Sequence, residues 1–356
     1  MKTILNRLMA GALLAALSIS AQADLVIHSG GQTSSTGQGR VTWGGENSLN
    51  KARAIMYSQP AYNTTYNSGY NNSYSAPSSS YSGWSEEDNF SPSWQAGSTR
   101  ATGNYYAASK GALVMDALSG QILYEKNADI ARPIASISKL MTAILVAESG
   151  ADMNEMLTVD SLDFKTPKKS GSDRLKVGDQ LNRAEMLLMM LMKSENPAAK
   201  ALARTDPMGY DAFIARMNAK ARELGMTQTE FYDPSGLDSR NVASPRDLAQ
   251  LVRYAYQHNL VRSFSTTPNR DFYVNNLSSG FRSISARSTN YMVRDGLYSL
   301  GLSKTGYIRE AGNCVVFETN VGSRPTIVVL LGATDSKMRW NDAENIIANL
   351  SMRKYT

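Results

Sequence analysis

Three short motifs that can carry serine chemistry occur in order along the chain. Ser136 and Lys139 form a Ser-x-x-Lys motif, Ser194 and Asn196 form a Ser-x-Asn motif, and Lys304 opens a Lys-Thr-Gly triplet. Residues three apart share one face at the start of a helix, so the Lys139 amine is predicted to lie beside the Ser136 hydroxyl. An uncharged Lys139 could then accept the serine proton, provided that burial and a second cation lower its pKa from about 10.4.

The second and third motifs supply other groups that this reaction needs. Ser194 is predicted to relay a proton to the leaving amine, and Asn196 is predicted to bind Lys139 and the substrate backbone. Lys304 adds a second positive charge to the site, and the Thr305 hydroxyl can bond a substrate carboxylate. These side chains are therefore expected to meet across one cleft.

An oxyanion hole is predicted from the backbone of the same motifs. Gly306 leaves room for a substrate to lie along its strand. The N–H of Tyr307 can then pair with that of Ser136 to stabilise the developing negative charge, which the positive end of a helix dipole at Ser136 would also favour.

None of these motifs is specific by itself. Residues 48–51 also fit Ser-x-x-Lys, residues 239–241 and 288–290 also fit Ser-x-Asn, and residues 169–171 resemble the third motif. The ordered set is specific because each member has the context it requires: a helix start, a loop after a helix, and a late strand.

Composition excludes several other chemistries. The chain has two histidines, His28 and His258, and one cysteine, Cys314. Zinc sites built on several His or Cys residues and an intramolecular disulfide are thereby excluded, and no metal or cofactor is predicted. A Ser-His-Asp triad would have to use His258, around which nothing indicates a base. Cys314 lies in an apolar run and is predicted to be a buried strand residue.

The net charge gives only weak information about partners. A charge of +6 without a Lys/Arg stripe is poor support for nucleic-acid binding, and it fits an anionic polymer such as a cell wall equally well.

Three segments are predicted along the chain. Residues 1–23 combine a basic start, a short apolar stretch and a small-x-small cleavage site, which is typical of a secretory signal peptide and too short for a stable membrane span. Residues 24–104 are rich in Ser, Tyr, Asn and Gly and are predicted to form a disordered linker. Residues 105–356 are predicted to form the catalytic domain of an exported protein, soluble after cleavage.

The elements that must position the motifs follow from periodicity and turn residues. Strands are predicted at 112–117, 121–125, 301–308, 313–320 and 326–333, and helices at 136–148, 183–192, 209–224, 245–257 and 340–352, with Ser244 as an N-cap. This order predicts an α/β (α+β) fold, in which helices flank a five-stranded, largely antiparallel sheet beside a mostly helical subdomain. The site is expected in the cleft between them.

The motif set resembles that of penicillin-binding proteins and serine β-lactamases. Residues 191–202, 225–237 and 301–312 resemble the D-alanyl-D-alanine carboxypeptidase/endopeptidase family of low-molecular-mass penicillin-binding proteins, closest to the penicillin-binding protein 7 type of endopeptidase. The resemblance covers roughly 110–350. It implies a β-lactamase/DD-peptidase-like fold and a periplasmic enzyme that hydrolyses D-Ala-containing cross-links of peptidoglycan peptide stems.

By the same resemblance, Ser136 forms an acyl-enzyme, Lys139 is the base, and β-lactam antibiotics acylate Ser136 and leave slowly. Many carboxypeptidase relatives continue into a β-rich domain and an amphipathic helix that holds the membrane. Because this chain stops just after its last predicted helix, the endopeptidase is favoured over the D-Ala-D-Ala carboxypeptidase.

Two further alternatives stay open. A β-lactamase needs a carboxylate for fast deacylation, and Asp160, Asp163 and Asp173 lie in the middle block without a recognisable carboxylate-loop motif. A non-catalytic wall-binding scaffold would keep the fold, but the complete motif set argues against it. Arg309 could bind a substrate carboxylate and is more simply predicted to be a solvated charge at a strand end.

Overall fold

The computed structural model describes residues 99–101, 106–166, 173–321 and 324–351. The predicted signal peptide, most of the predicted linker, and the partial motifs at 48–51 and 169–171 lie outside the described residues.

A six-stranded antiparallel sheet forms the centre of the described fold. In spatial order its strands are β1 (Thr99–Ala101), β3 (Ile122–Lys126), β2 (Gly111–Asp116), β12 (Arg324–Ala333), β11 (Gly312–Val321) and β10 (Leu300–Ile308). The five strands predicted from the sequence are confirmed, with ends that differ by one or two residues. Strand β10, which carries the third motif, ends the sheet.

The sixth strand, β1, lies inside the stretch that the sequence analysis assigns to the linker. Thr99 is paired with Lys126 and Ala101 with Tyr124 of β3. Pairing of a short segment with a sheet edge depends on backbone hydrogen bonds and requires no apolar pattern, so composition gives no sign of it. The sheet therefore begins before residue 105.

The described residues form eight α-helices. They are α1 (Lys139–Glu148), α2 (Arg183–Met192), α3 (Asn196–Arg204), α4 (Tyr210–Glu223), α5 (Pro245–Ala255), α6 (Asn259–Ser265), α7 (Tyr291–Arg294) and α8 (Ser336–Ser351). The predicted N-cap at the start of α5 is confirmed, because the Ser244 side chain accepts a hydrogen bond from the backbone of Asp247 and Pro245 opens the helix.

The block between β3 and β10 is mostly helical, as predicted, and it also contains strands that the sequence analysis missed. A four-stranded sheet consists of β5 (Met156–Thr158), β6 (Asp179–Asn182), β8 (Asn269–Asn276) and β9 (Gly280–Arg287). Two further short strands, β4 (Arg132–Pro133) and β7 (Val242–Ala243), pair with each other.

The main sheet is buried because helices cover it. Residues Ala343, Ile346 and Leu350 of α8 pack against Val315 and Phe317 of β11 in one apolar cluster. Helix α5 contacts β2, β11 and β12. Burial on both faces explains why residues 314–317 of β11 and 327–331 of β12 are apolar without alternation.

In the described part of the chain, none of the helices combines the length and the apolar character needed to cross a membrane.

Candidate active site

Ser136 lies on a one-turn 3-10 helix, Ala135–Ser138, that leads directly into α1. The sequence predicts one α-helix from residue 136, and the structure divides it into this tight turn and an α-helix that begins at Lys139. Ala135 has a φ of 49°, in the left-handed region that side chains other than glycine rarely adopt. The Ser138 hydroxyl donates a hydrogen bond of 2.9 Å to Ala135 O and so closes the turn.

The Lys139 amine contacts three oxygen atoms. Its Nζ lies 2.9 Å from Ser136 Oγ, 2.7 Å from Asn196 Oδ1 and 2.6 Å from the backbone oxygen of Ser235. Lys139 is fully buried, whereas Ser136 remains partly exposed. The hydroxyl is thus accessible to a substrate while the neighbouring amine is shielded from water.

These contacts fix the direction of the Lys139 lone pair. The carbonyl oxygens of Asn196 and Ser235 can only accept hydrogen bonds. A neutral amine has two N–H groups, and these two oxygens bind them both. The lone pair then faces Ser136 Oγ, which is the geometry that a general base requires.

Burial lowers the pKa of Lys139 to about 8, because the charged ammonium loses its hydration. The carboxylates of Asp233, Asp173 and Glu195 act in the opposite direction and favour the ammonium. The neutral amine is therefore the main form only above about pH 8, and burial alone lowers this pKa, without the second cation that the sequence predicts.

Lys304 lies on β10 and is also buried. Its Nζ donates hydrogen bonds of 2.9 Å to Ser194 Oγ and of 2.9 Å to Thr305 O. Burial lowers the pKa of Lys304 strongly, and the positive charge of Lys139 lowers it further. Ser194 has a φ of 66°, so a second strained residue lies in the site.

The loop that carries Ser194 follows α2, as predicted, and ends where α3 begins at Asn196. Helix α2 is buried on nearly all sides, which holds the end of this loop in place. The backbone N and side-chain Nδ2 of Asn196 donate hydrogen bonds of 3.2 and 3.0 Å to Asp173 Oδ1.

The remaining members of the third motif lie beside the Ser136 turn. A Cβ atom added to Gly306 would be 2.9 Å from Ile134 O and 3.1 Å from Ser136 N, so β10 approaches the turn closely only because residue 306 is glycine. The Thr305 hydroxyl lies 2.6 Å from that of Thr289. Tyr307 follows with an exposed side chain.

Several contributing residues were not identified from the sequence. The carbonyl of Ser235 and the close packing of Gly236 against Ala135 come from a segment quoted above only for its resemblance. Thr289 belongs to a triplet that was set aside as a chance match. Asp173 was considered only as a deacylation base. Each acts through a long-range contact, for which short motifs give no signal.

The structure also places the other residues that the sequence singled out as candidates. His258 Nε2 lies 3.4 Å from Glu148 Oε1. Cys314 is buried in β11, as predicted, and burial raises its pKa to about 11. Asp160 caps a 3-10 turn, and Asp163 pairs with Arg204. Arg309 is exposed at the end of β10. Within the described ranges, no group of three His, Cys, Asp or Glu residues could hold a metal ion.

Comparison with known proteins gives consistent matches. Residues 98–335 match a family described as D-alanyl-D-alanine carboxypeptidase. A D-alanyl-D-alanine endopeptidase of Pseudomonas aeruginosa is 39% identical over 241 residues, which cover 67% of this chain and 76% of that protein.

Solved structures agree with this match. The crystal structure of the Streptomyces K15 DD-transpeptidase aligns with a TM-score of 0.64 and 26% identity, over 70% of this chain and 98% of that one. Penicillin-binding protein D2 from Listeria monocytogenes, in its ampicillin-bound form, aligns with a TM-score of 0.59 and 28% identity, over 70% of this chain and 100% of that one. The predicted fold class is confirmed.

Proposed function

Because this chain belongs to the D-alanyl-D-alanine carboxypeptidase family of peptidases, we propose that it hydrolyses D-Ala-containing peptide cross-links of peptidoglycan through an acyl-enzyme on Ser136. The observation that carries this proposal is the buried Lys139 amine. It lies 2.9 Å from Ser136 Oγ, and its two other hydrogen-bonding positions face carbonyl oxygens. Any other arrangement of a neutral amine there turns its lone pair toward a carbonyl oxygen, which has no proton to donate.

In the acylation step, Ser136 Oγ attacks the D-Ala carbonyl carbon while neutral Lys139 takes the hydroxyl proton. The carbonyl oxygen becomes an oxyanion, bound by the backbone N–H groups of Ser136 and Tyr307. The C–N bond then breaks, and Ser194 relays the proton held by Lys139 to the departing amine nitrogen. The products are a free amine and an ester on Ser136.

In the deacylation step, a water molecule attacks the ester carbonyl and again gives a proton to Lys139. The Ser136 oxygen leaves with that proton, which restores the free hydroxyl and releases a carboxylic acid. The net reaction consumes one water for each peptide bond broken, and it needs neither a metal ion nor a cofactor.

Substrate recognition is assigned to β10. Lys304 holds the Ser194 hydroxyl by a hydrogen bond from its amine, and the Thr305 hydroxyl, which contacts Thr289, bonds a substrate carboxylate. Gly306 keeps the strand clear of side-chain bulk where the peptide lies. β-Lactams enter the same site as mimics of the peptide and acylate Ser136.

We assign the endopeptidase reaction ahead of the carboxypeptidase reaction because the Pseudomonas aeruginosa relative, at 39% identity, is a D-alanyl-D-alanine endopeptidase. The carboxypeptidase is the second candidate, since the matching family carries that description. With the predicted signal peptide at residues 1–23, we place the mature enzyme in the periplasm, where its polymeric substrate lies.

The test uses purified mature protein, dimeric cross-linked muropeptides and a monomeric pentapeptide, with products separated by chromatography. Faster cleavage of the dimer supports the endopeptidase, and faster release of D-Ala from the pentapeptide supports the carboxypeptidase. Ser136→Ala should abolish both activities and labelling by fluorescent penicillin, whereas Ser149→Ala, at the other end of α1, should retain them. Labelling that persists in folded Ser136→Ala protein would reject the assigned nucleophile.

A further inference from the structure

We infer that Asp173 is a positioning residue, which holds the side-chain amide of Asn196 in the orientation that directs Lys139 toward Ser136. The inference rests on the proposed function, because it assigns a role within the same reaction. Asp173 itself is not among the contacts of the Lys139 amine, so its orienting effect on that amine is transmitted by Asn196.

The contacts between Asp173 and Asn196 leave one orientation of the amide. Asp173 Oδ1 lies 3.0 Å from Asn196 Nδ2 and 3.2 Å from Asn196 N. An ionised carboxylate can only accept hydrogen bonds, so the NH₂ end of the amide must face Asp173. The oxygen end then faces the opposite way, where it lies 2.7 Å from Lys139 Nζ.

The orientation matters because a rotated amide would change the direction of the Lys139 lone pair. With the NH₂ group of Asn196 toward Lys139, a neutral amine could accept a hydrogen bond from Asn196 rather than from the Ser136 hydroxyl. The two N–H groups of the lysine would then be donated to Ser235 O and to Ser136 Oγ, which lie 2.6 and 2.9 Å from Nζ. The base would then point away from the proton that it must remove.

Asp173 is held against Asn196 by a second carboxylate. Both side-chain oxygens of Glu195 lie 2.9 Å from the backbone N of Arg174, and Glu195 is fully buried. The residue after Asp173 is thereby tied to the residue before Asn196. This double connection fixes the distance between the Asp173 carboxylate and the amide.

A contrast within the same subdomain supports the assignment. Asp160 is an N-cap that bonds the backbone of Leu162, and Asp163 pairs with Arg204. Both therefore have structural roles. Asp173 instead directs its Oδ1 atom to Asn196, which was independently predicted to lie in the site.

The first test compares acylation rates of mature wild-type, Asp173→Ala and Asp173→Asn proteins with fluorescent penicillin. Asp173→Ala should reduce the rate about tenfold or more, because the amide loses the acceptor that orients it. Asp173→Asn should keep a rate within about threefold of wild type, because its amide oxygen can accept the same two N–H groups. Asp160→Ala is the matched control for loss of a carboxylate and should match wild type.

The pH profile separates orientation from charge. The Asp173 carboxylate favours the ammonium form of Lys139, so Asp173→Asn should move the acidic limb of the acylation profile to lower pH and leave the plateau in place. A purely structural residue would change the melting temperature without moving this limb.

A double-mutant cycle with Asn196→Ala provides the decisive comparison. If Asp173 acts through Asn196, Asp173→Ala should change the rate of the Asn196→Ala protein by no more than about twofold. A full loss in both backgrounds, or an Asp173→Asn protein as slow as Asp173→Ala, would overturn the inference. If Asp173→Ala fails to fold, the test uses the plateau acylation rate of Asp173→Asn. A rate close to that of wild type supports the positioning role, and a lost rate rejects it. Failure of the proposed function is distinguishable, because wild type would then neither label nor cleave muropeptides.

Discussion

The backbone oxygen of Ser235 lies 2.6 Å from Lys139 Nζ, although 96 positions separate the two residues in sequence. The segment that presents this oxygen is itself fixed, because Asp233 accepts hydrogen bonds from the Ser235 hydroxyl and from Gly236 N. The direction of the Lys139 amine therefore depends on a turn that lies outside all three sequence motifs.

The same turn should be unusually sensitive to substitution at Gly236. A Cβ atom added there would lie 1.9 Å from Ala135 O, and φ is 82°. Gly236→Ala must displace the Ser136 turn, so we expect a loss of about 3 kcal/mol or more in the free energy of unfolding and a collapse of penicillin labelling. Urea denaturation and labelling of the soluble fraction measure the two effects.

Gly225→Ala is the matched control. Gly225 has a similar φ of 72°, but nothing lies within 4 Å of an added Cβ atom. Gly225→Ala should lower the free energy of unfolding by only about 1 kcal/mol, because alanine is disfavoured in a left-handed backbone, and it should keep the wild-type labelling rate. Equal losses for the two variants would show that backbone conformation, and not contact with Ala135, is what matters at residue 236.

Acylation should rise with pH through the pKa of Lys139. Burial lowers that pKa to about 8, and only the neutral amine can take the Ser136 proton. The rate should therefore fall as pH decreases below about 8, approaching tenfold per pH unit on the acidic side. Time-resolved labelling between pH 6 and 9 checks this, with melting curves to confirm folding at each pH.

Lys139→Arg is the companion variant, because a guanidinium stays protonated throughout this range. It should lose about 10³-fold in acylation rate. A profile that stays flat between pH 6 and 9 in wild type would remove Lys139 from the role of base.

Glu318 should make stability depend on pH. It is 2% exposed, its Oε1 atom has no hydrogen-bond partner among the described residues, and burial raises its pKa from 4.5 to about 7. The folded state therefore binds this proton more tightly than the unfolded state. The free energy of unfolding accordingly falls as pH rises from 4.5 through 7. Gln cannot ionise, so the Glu318→Gln protein should not show this fall. Its free energy of unfolding relative to wild type should therefore increase by up to about 3 kcal/mol between pH 4.5 and pH 8.

Urea denaturation at the two pH values measures this gain. Exposed Glu230, changed to Gln, is the control and should show the same difference from wild type at both. An unchanged difference for Glu318→Gln would mean that Glu318 is paired or hydrated in solution.

Strand β1 gives a test of the predicted linker. Two deletions of the mature protein are compared, residues 24–98 and residues 24–104. Only the second removes Thr99–Ala101, which pair with β3, and it should melt about 2–8 °C lower than the first. Both should cleave muropeptides. Loss of cleavage in a folded 24–98 deletion would show that the segment is more than a tether.

The sequence was sufficient for the parts of the fold that have strong local patterns. Strands β11 and β12 contain the apolar runs 314–317 and 327–331, and α2 is apolar throughout 186–192, so their positions were predicted closely. Strands β8 and β9 were missed, because each has only two buried apolar residues and the turn between them, at 277–279, lacks the usual hairpin pairs. Their pairing depends on neighbours that are distant in sequence.

In the candidate site, too, the contacts between residues close in sequence were predictable and the long-range contacts were not. Ser136 and Lys139 are close in sequence, so a helical turn predicts their contact. Ser194 and Lys304 are 110 positions apart, and only the fold brings the hydroxyl and the amine to 2.9 Å. The left-handed backbone of Ala135 and Ser194 was not predictable, because neither residue type favours it.

The position of β10 at the end of the main sheet has a further consequence for what the protein can discriminate. A terminal strand leaves one row of amide and carbonyl groups open to an extended peptide that docks as an additional strand. Recognition of this kind depends on the shape and direction of a chain, and it is largely indifferent to which side groups that chain bears. An enzyme built in this way can accept stems of varied composition and reserve strict selection for the few atoms next to its nucleophile.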